Sequence, residues 1–278
     1  MGKMLTKTLE TIEEYKSKSP HYEELLEILE EILIFREEFR RTLKDDVFAV
    51  DESLVGQKLS GGLPLIDISR NNFELTELRN YFLRLLEIAK KRSPTETEQI
   101  IRGLEDGTLA YEKMVVDSFD HEVEAEESTE ENEDKLFDLL GLFVEESIRP
   151  ALEMVAEKYA GVIKESQWSE GYCPVCGKEP KIGELREDEG FRYLFCSQCG
   201  CEWSFRRIKC PFCGNDDQQT LAYFTIEDEE KYRVEVCNIC KRYIKTVDFR
   251  KIKELANLDV EDIATLHLDI LATEEGYE

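Results

Sequence analysis

Residues 173–240 read CPVCGKEPKIGELREDEGFRYLFCSQCGCEWSFRRIKCPFCGNDDQQTLAYFTIEDEEKYRVEVCNIC. Eight of the nine cysteines form four Cys-x-x-Cys pairs there: Cys173/Cys176, Cys196/Cys199, Cys210/Cys213 and Cys237/Cys240, with Cys201 left over. Two residues between cysteines let the chain turn back so that both sulfurs reach one ion at about 2.3 Å, and two such knuckles complete a tetrahedron. The spacings within the stretch are 19 residues from the first pair to the second and 23 from the third to the fourth, with ten between the middle pairs. That rhythm predicts two zinc-ribbon-like modules. Cys173, Cys176, Cys196 and Cys199 are expected to hold one mononuclear ion, and Cys210, Cys213, Cys237 and Cys240 a second. Cross-braced pairing, first with third and second with fourth, is the alternative.

The residues around the sulfurs support knuckles. Pro174 and Pro211 restrict φ inside two of the turns, and Gly177, Gly200 and Gly214 follow three of the pairs, where a positive φ is needed. Lys241 takes that place in the fourth, so its turn is expected to be strained or differently shaped. An internal repeat also emerges. Aligning Cys196 with Cys237 sets Arg192 on Arg233, Phe195 on Val236 and Trp203 on Ile244. All-thiolate ligation suits zinc and rubredoxin-type iron alike, and a four-sulfur site keeps no position open for water. Each structural site of this kind contributes ~10–16 kcal/mol of apparent folding free energy, which a small module poor in aliphatics needs.

Working outward, Phe191–Phe195 and Tyr232–Val236 are short, aromatic or β-branched runs that end at cysteines and read as strands. Before Trp168 the texture is helical. Leu25, Leu29, Ile32, Phe39 and Leu43 stripe a helix over 21–44, and Leu78, Phe82, Leu85 and Ile88 stripe another over 74–91. Ser93-Pro94 starts a shorter helix over 96–104, and 51–72 reads as a turn-rich connection. Leu136, Leu139, Phe143, Leu152, Val155 and Tyr159 predict a long helix, kinked or broken near Pro150. The acidic run 117–134 carries no basic residue and reads as a solvated, mobile connection. From Val260 onward Ile263, Leu266, Ile270 and Leu271 predict one closing helix.

The expected fold is therefore α+β and multidomain: an all-helical domain (1–168), two tandem rubredoxin-like or zinc-ribbon modules (169–209 and 210–253), and a C-terminal helix and tail (254–278). Charge narrows the partners. The chain is 278 residues long with a net charge of −26, yet residues 171–253 hold 15 basic and 14 acidic residues. Only that part is electrostatically open to nucleic acid. No run approaches a membrane span, and the N-terminus lacks an apolar signal core, so a cytoplasmic protein with reduced thiols is expected. His21, His121 and His267 are isolated, and no catalytic triad, P-loop or dinucleotide fingerprint occurs.

Several motifs together resemble the FdhE family of formate dehydrogenase accessory proteins. They are Cys173-Pro-Val-Cys176-Gly-x-x-Pro180, Arg192-Tyr193-Leu194-x-Cys196-Ser-x-Cys199-Gly200, Glu202-Trp203, and Lys209-Cys210-x-x-Cys213-Gly214-Asn215. Cys237-x-x-Cys240-x-x-Tyr243-x-Lys245, Asp262-Ile-Ala-Thr-Leu-x-Leu-Asp269 and Glu275-Gly276-Tyr277 complete the set. The likeness is strong over 171–278; in the front half it rests on Gly62-x-Pro64-Leu65 and the general layout. The chain ends one residue after Tyr277, short of the family's usual tail, and 117–134 is extended. The resemblance implies a non-catalytic cytoplasmic maturation factor that contacts the formate dehydrogenase catalytic subunit, with iron as one candidate metal. A nucleic-acid-binding zinc ribbon using Arg206, Arg207 and Lys209, and a rubredoxin-like electron carrier, are the alternatives.

Overall fold

The computed structural model describes residues 3–44, 47–66, 73–119, 131–226, 229–251 and 257–278. Helices fill its front because apolar residues there recur at three and four. Helix α1 (Lys3–Lys18) pairs with α2 (Glu23–Arg40), whose first turn is acidic and whose last is basic, as the helix dipole favours. Leu26, Leu29, Ile32, Leu33 and Phe39 of α2 face inward, whereas Leu25, expected inside, is 43% exposed. Leu25 has one-turn spacing to Leu29 as well, but it is Leu26 that joins Ile12, Tyr22 and Leu29 in the cluster between α1 and α2.

The connection over 51–72 contains a short helix, α3 (Val55–Ser60), anchored by buried Val55 and Leu59; residues 67–72 lie outside the described residues. Helix α4 (Thr76–Lys90) is the centre of the helical part. Its Leu78, Tyr81, Phe82, Leu85, Leu86 and Ile88 are all buried. Helix α5 (Pro94–Asp106) opens on Pro94 and stops at Gly107, whose φ of 80° ends it. Helix α6 (Tyr111–Asp117) follows.

Helix α7 (Glu131–Glu165) is one unbroken element despite Pro150 inside it. Proline removes one amide donor, but Phe143, Val144, Ile148, Ala151 and Leu152 are buried on both sides of it, and α7 packs on α2, α4, α5 and α6. That burial outweighs the lost bond, so the expected break does not occur. The acidic run proves composite: Asp117 closes α6 and 131–134 open α7, while 120–130 lie outside the described residues.

The Cys-rich part forms one six-stranded sheet of β1 (Ile182–Arg186), β2 (Phe191–Phe195), β3 (Glu202–Phe205), β4 (Leu221–Phe224), β5 (Tyr232–Cys237) and β6 (Tyr243–Asp248). Its order is β3-β2-β1-β6-β5-β4, antiparallel within each half and parallel at the β1–β6 seam, where Ile182 faces Lys245 and Leu185 faces Asp248. The two ribbons thus share a sheet in the same orientation, head to tail. The closing helix is two, α8 (Leu258–Ala264) and α9 (Leu266–Glu274). They part at Thr265, which leaves helical geometry at φ −118° while its hydroxyl donates to the Glu261 carbonyl at 2.7 Å. Val260, Ala264, Leu268 and Ala272 are the buried face, and Ile270 is exposed.

The buried apolar residues show how these parts join. The main core runs without interruption from α4 and α7 through Trp168 into Val175, Leu194, Trp203 and Phe205 of the first ribbon. A second cluster lies under the second ribbon, where Val234, Val236 and Val247 meet Leu258 and Leu268. A third joins α1 and α2 to Val260 of α8.

Candidate metal centres

Four knuckles with one backbone pattern position the thiols. In each, the first cysteine donates its N–H to the carbonyl five residues on, and its own carbonyl accepts from the residue four on. The pairs are Cys173 with Lys178 and Gly177 (2.8 and 2.9 Å), and Cys196 with Cys201 and Gly200 (3.0 and 2.9 Å). Cys210 does the same with Asn215 and Gly214 (2.7 and 3.1 Å), and Cys237 with Arg242 and Lys241 (3.0 and 2.9 Å). The residue four on has φ of 82°, 66°, 73° and 61° respectively. Lys241 therefore adopts the left-handed conformation that glycine takes in the other three, at a cost of ~1–2 kcal/mol. The same pattern accounts for Cys201. It occupies the place of Lys178, Asn215 and Arg242, where the backbone carbonyl is used, and its sulfur belongs to neither four-thiol group.

The sulfurs gather in sequential order. Cys173, Cys176, Cys196 and Cys199 form one group and Cys210, Cys213, Cys237 and Cys240 the other, with the Sγ atoms of each group within 4.8 Å of one another. Separations in the first include 3.3, 3.5 and 3.8 Å, and in the second 3.6 and 3.7 Å. Sulfurs about 2.3 Å from a tetrahedral ion stand about 3.8 Å apart, so both groups fit a zinc or iron ion with little adjustment. Four sulfurs this close cannot share four negative charges unless a cation sits among them. Burial pushes the Cys173 and Cys199 thiols up; Cys196, equally buried, is held well down by hydrogen bonds from Cys173, Cys176 and Cys199. In the second group burial raises Cys210, while against burial the backbone N–H groups near Cys240 and Ile239 hold Cys237 at about 7.

The two surroundings differ. All four sulfurs of the first group are buried. The chain after Gly62 lies against the first knuckle, Leu65 and Ile66 donating their N–H groups to the Pro174 and Val175 carbonyls at 2.9 Å. Tyr172 donates to the Gly62 carbonyl at 2.7 Å, and Gln198 reaches across to the Glu145 carbonyl of α7 at 2.8 Å. In the second group Cys213 is exposed and Cys240 half-buried. Its support comes from within the sheet: Asn215 Nδ2 donates to Cys237 Sγ at 3.6 Å, and Arg242 stacks on Phe212 at 3.8 Å while donating twice to Glu179 of the first ribbon. Gly171 lets the chain pass the third knuckle, since a Cβ there would stand 1.7 Å from the Pro211 carbonyl oxygen.

The profile described as FdhE, central domain, matches residues 172–207, and that described as FdhE, C-terminal domain, matches 208–278. A Protein FdhE homolog from Aquifex aeolicus is 29% identical over 265 residues, spanning 94% of this chain and 88% of that protein. Residues 172–278 thus carry both FdhE domains. A Protein FdhE homolog from Pseudomonas aeruginosa is 36% identical over 126 residues, 42% of this chain and 40% of its own length. Protein FdhE of Escherichia coli K12 is 34% identical over 109 residues, 38% of this chain and 34% of its own. The crystal structure of the FdhE protein from Pseudomonas aeruginosa matches with a TM-score of 0.66 at 21% identity, over 99% of this chain and 92% of that one. That likeness extends the shared fold through the helical front half.

An ion-pair network that the sequence did not reveal stitches the helical part to the residues beyond the FdhE-type sheet. Arg36 of α2 donates to both oxygens of Glu146 (2.7 and 2.6 Å), and Arg149 donates to both oxygens of Asp259 (2.8 and 2.6 Å) and to Glu153 (2.9 Å). Arg36 and Arg149 are both buried. The signal was present as Arg and Glu three and four residues apart around Pro150, but the partner on α8 is 110 residues away. Among the described residues no helix is long and apolar enough to cross a membrane.

Proposed function

We propose that this chain is a non-catalytic, cytoplasmic accessory protein required for assembly of active formate dehydrogenase, and that it acts by holding the catalytic subunit. The two FdhE domains carry the reading, and the two four-thiol cups support it, because closed all-sulfur sites build a rigid surface rather than activate water. The eight paired cysteines would be the ligands of two zinc or iron ions, one per module, over 169–209 and 210–253, between a helical domain (1–168) and the C-terminal helices (254–278). Metal analysis of the chain purified from its own host should return two ions per chain. Deleting the gene should abolish formate oxidation, and affinity capture of the chain should recover the catalytic subunit. Normal formate oxidation in the deletion strain would refute the role.

The exposure of Cys213 favours one second reading, a rubredoxin-like electron carrier with iron in the outer site. Iron there would supply a one-electron couple close to the surface. A red protein that bleaches reversibly on reduction supports this, and colourless, zinc-filled protein ends it.

A further inference from the structure

The β2 and β5 strands carry one arginine each at repeat-related positions, and the sheet register sends both to one face. Arg192 pairs across with Phe205 and Leu185, and Arg233 with Thr246; through β1 and β6, where Gly183 faces Thr246, these residues share a side. The chain from Arg207 to Phe212 passes over that side and encloses a pocket of about 350 Å³. That volume lies in the range of small-molecule sites, roughly 300–1,000 Å³.

The arginines at its walls are 3% and 7% exposed, and their hydrogen bonding is incomplete. Arg192 donates from Nη1 to the Lys209 carbonyl at 3.0 Å; its Nη2 lies 2.9 Å from Glu235 but out of line for a hydrogen bond, and its Nε has no partner among the described residues. Arg233 donates from Nη2 to Glu235 at 2.6 Å, again leaving Nε without a partner. Thr246 Oγ1, on the same face, is also buried without one. Buried donors are ordinarily satisfied, and each one left unmade costs ~1–3 kcal/mol. Burial, and then the nearby Arg233 charge, hold the Arg192 guanidinium below its usual range despite Glu235.

Arg207 and Lys209 add two more cations at the same pocket, beside Arg242, which Glu179 neutralises, and against the carboxylate of Glu235 and the outer-group thiols Cys210 and Cys237. In a chain of net charge −26 such a cluster is not a by-product of basic composition. We propose that this pocket binds a phosphate ester with an apolar body, Arg192 and Arg233 taking the phosphoryl oxygens and Arg207 and Lys209 closing over it. Guanidinium forks match phosphoryl oxygens in pairs, and a dianion balances the surplus charge better than a carboxylate does. Ile208, Leu221 and Tyr223 supply the apolar wall. Neither the metal's identity nor the accessory role enters this assignment.

The test is titration of phenyl phosphate into the metal-loaded full chain, followed by calorimetry and by the arginine Nε–Hε resonances. Saturable binding that moves the Arg192 and Arg233 signals is expected, with inorganic phosphate and benzoate each at least about tenfold weaker. Arg192→Lys should weaken phenyl phosphate by about tenfold or more. The pair Arg207→Glu with Lys209→Glu, at an exposed and a half-buried position over the pocket, should abolish it. Absence of saturable binding, binding untouched by this double variant at unchanged metal content, or benzoate binding as tightly as phenyl phosphate would each overturn the proposal. Formate oxidation in cells is a separate measurement, so failure here leaves the accessory role standing.

Discussion

The two ribbons repeat one backbone pattern and one set of sulfurs, yet one is sunk in the main core and the other stands at the free end of the sheet. Cys173, Cys176, Cys196 and Cys199 are counted among the core side chains beside Val175 and Trp203, and the helical domain touches their knuckles directly. Around Cys210, Cys213, Cys237 and Cys240 the support comes from Asn215, from Arg242 held by Glu179, and from Glu278, whose backbone bonds Lys241 and Tyr243; among the described residues none of these four cysteines belongs to the main core. Equal ligand chemistry therefore predicts unequal consequences. Losing the inner ion should unfold the protein, whereas losing the outer one should loosen a single module.

The largest expected effect tests this directly. Cys196→Ser should remove one ion per chain and, with it, on the order of 10 kcal/mol of apparent folding free energy, abolishing the main calorimetric transition. Cys213→Ser should remove one ion and leave that transition in place; equal damage from both would break the comparison.

Asp259→Asn should come next, at about 3–5 kcal/mol, since it leaves buried Arg149 without its bidentate partner, and outer-site affinity should not change. Burial alone would raise the Asp259 carboxyl, but Arg149 and Arg36 hold it below the usual range. Its contribution is then complete above the unfolded value of about 3.9 and is lost as pH falls through the lower folded value. Denaturant melts down a pH series should show that acid loss in the parent and not in the variant.

Smaller still, a chelator should strip the outer ion at least about tenfold faster than the inner, giving two phases of release in a colorimetric assay. The smallest effect should come from Lys241→Gly, which removes a left-handed lysine and should stabilise the outer module by about 1 kcal/mol, read as slower release of its ion.

The parts that could be read from sequence are those governed by short spacing. Cysteines separated by two residues marked the knuckles, and Gly177, Gly200 and Gly214 anticipated three positive φ values; for Lys241 a strained or a differently shaped turn was open, and φ of 61° shows the strained one. Phe191–Phe195 and the run from Tyr232 emerged as strands because β-branched and aromatic residues alternate toward a cysteine. What escaped depends on distant partners. Tandem ribbons were expected, but not their fusion, because the β1–β6 register joins Ile182 to Lys245 and no local pattern encodes a parallel seam. Pro150 looked like a kink or a break since a lone helix would feel the missing amide, whereas packing on α4 and α6 keeps α7 continuous. Arg192 and Arg233 were matched by the repeat, but their sharing of a cavity required knowledge of which way each strand faces.

The seating of α1 on β5 and α8 also governs when the molecule can be completed during synthesis. Tyr15 of α1 meets the Tyr232 hydroxyl at 2.7 Å and donates to Glu261 of α8 at 2.8 Å, so the first helix finds its seat on residues made more than two hundred positions later. Contacts of such long range close late and slowly. A nascent chain will therefore have α1 seated on α2 alone, with the part of their apolar cluster that Val260 covers left open until the ribosome has delivered α8, and that interval is when a chaperone has most to protect.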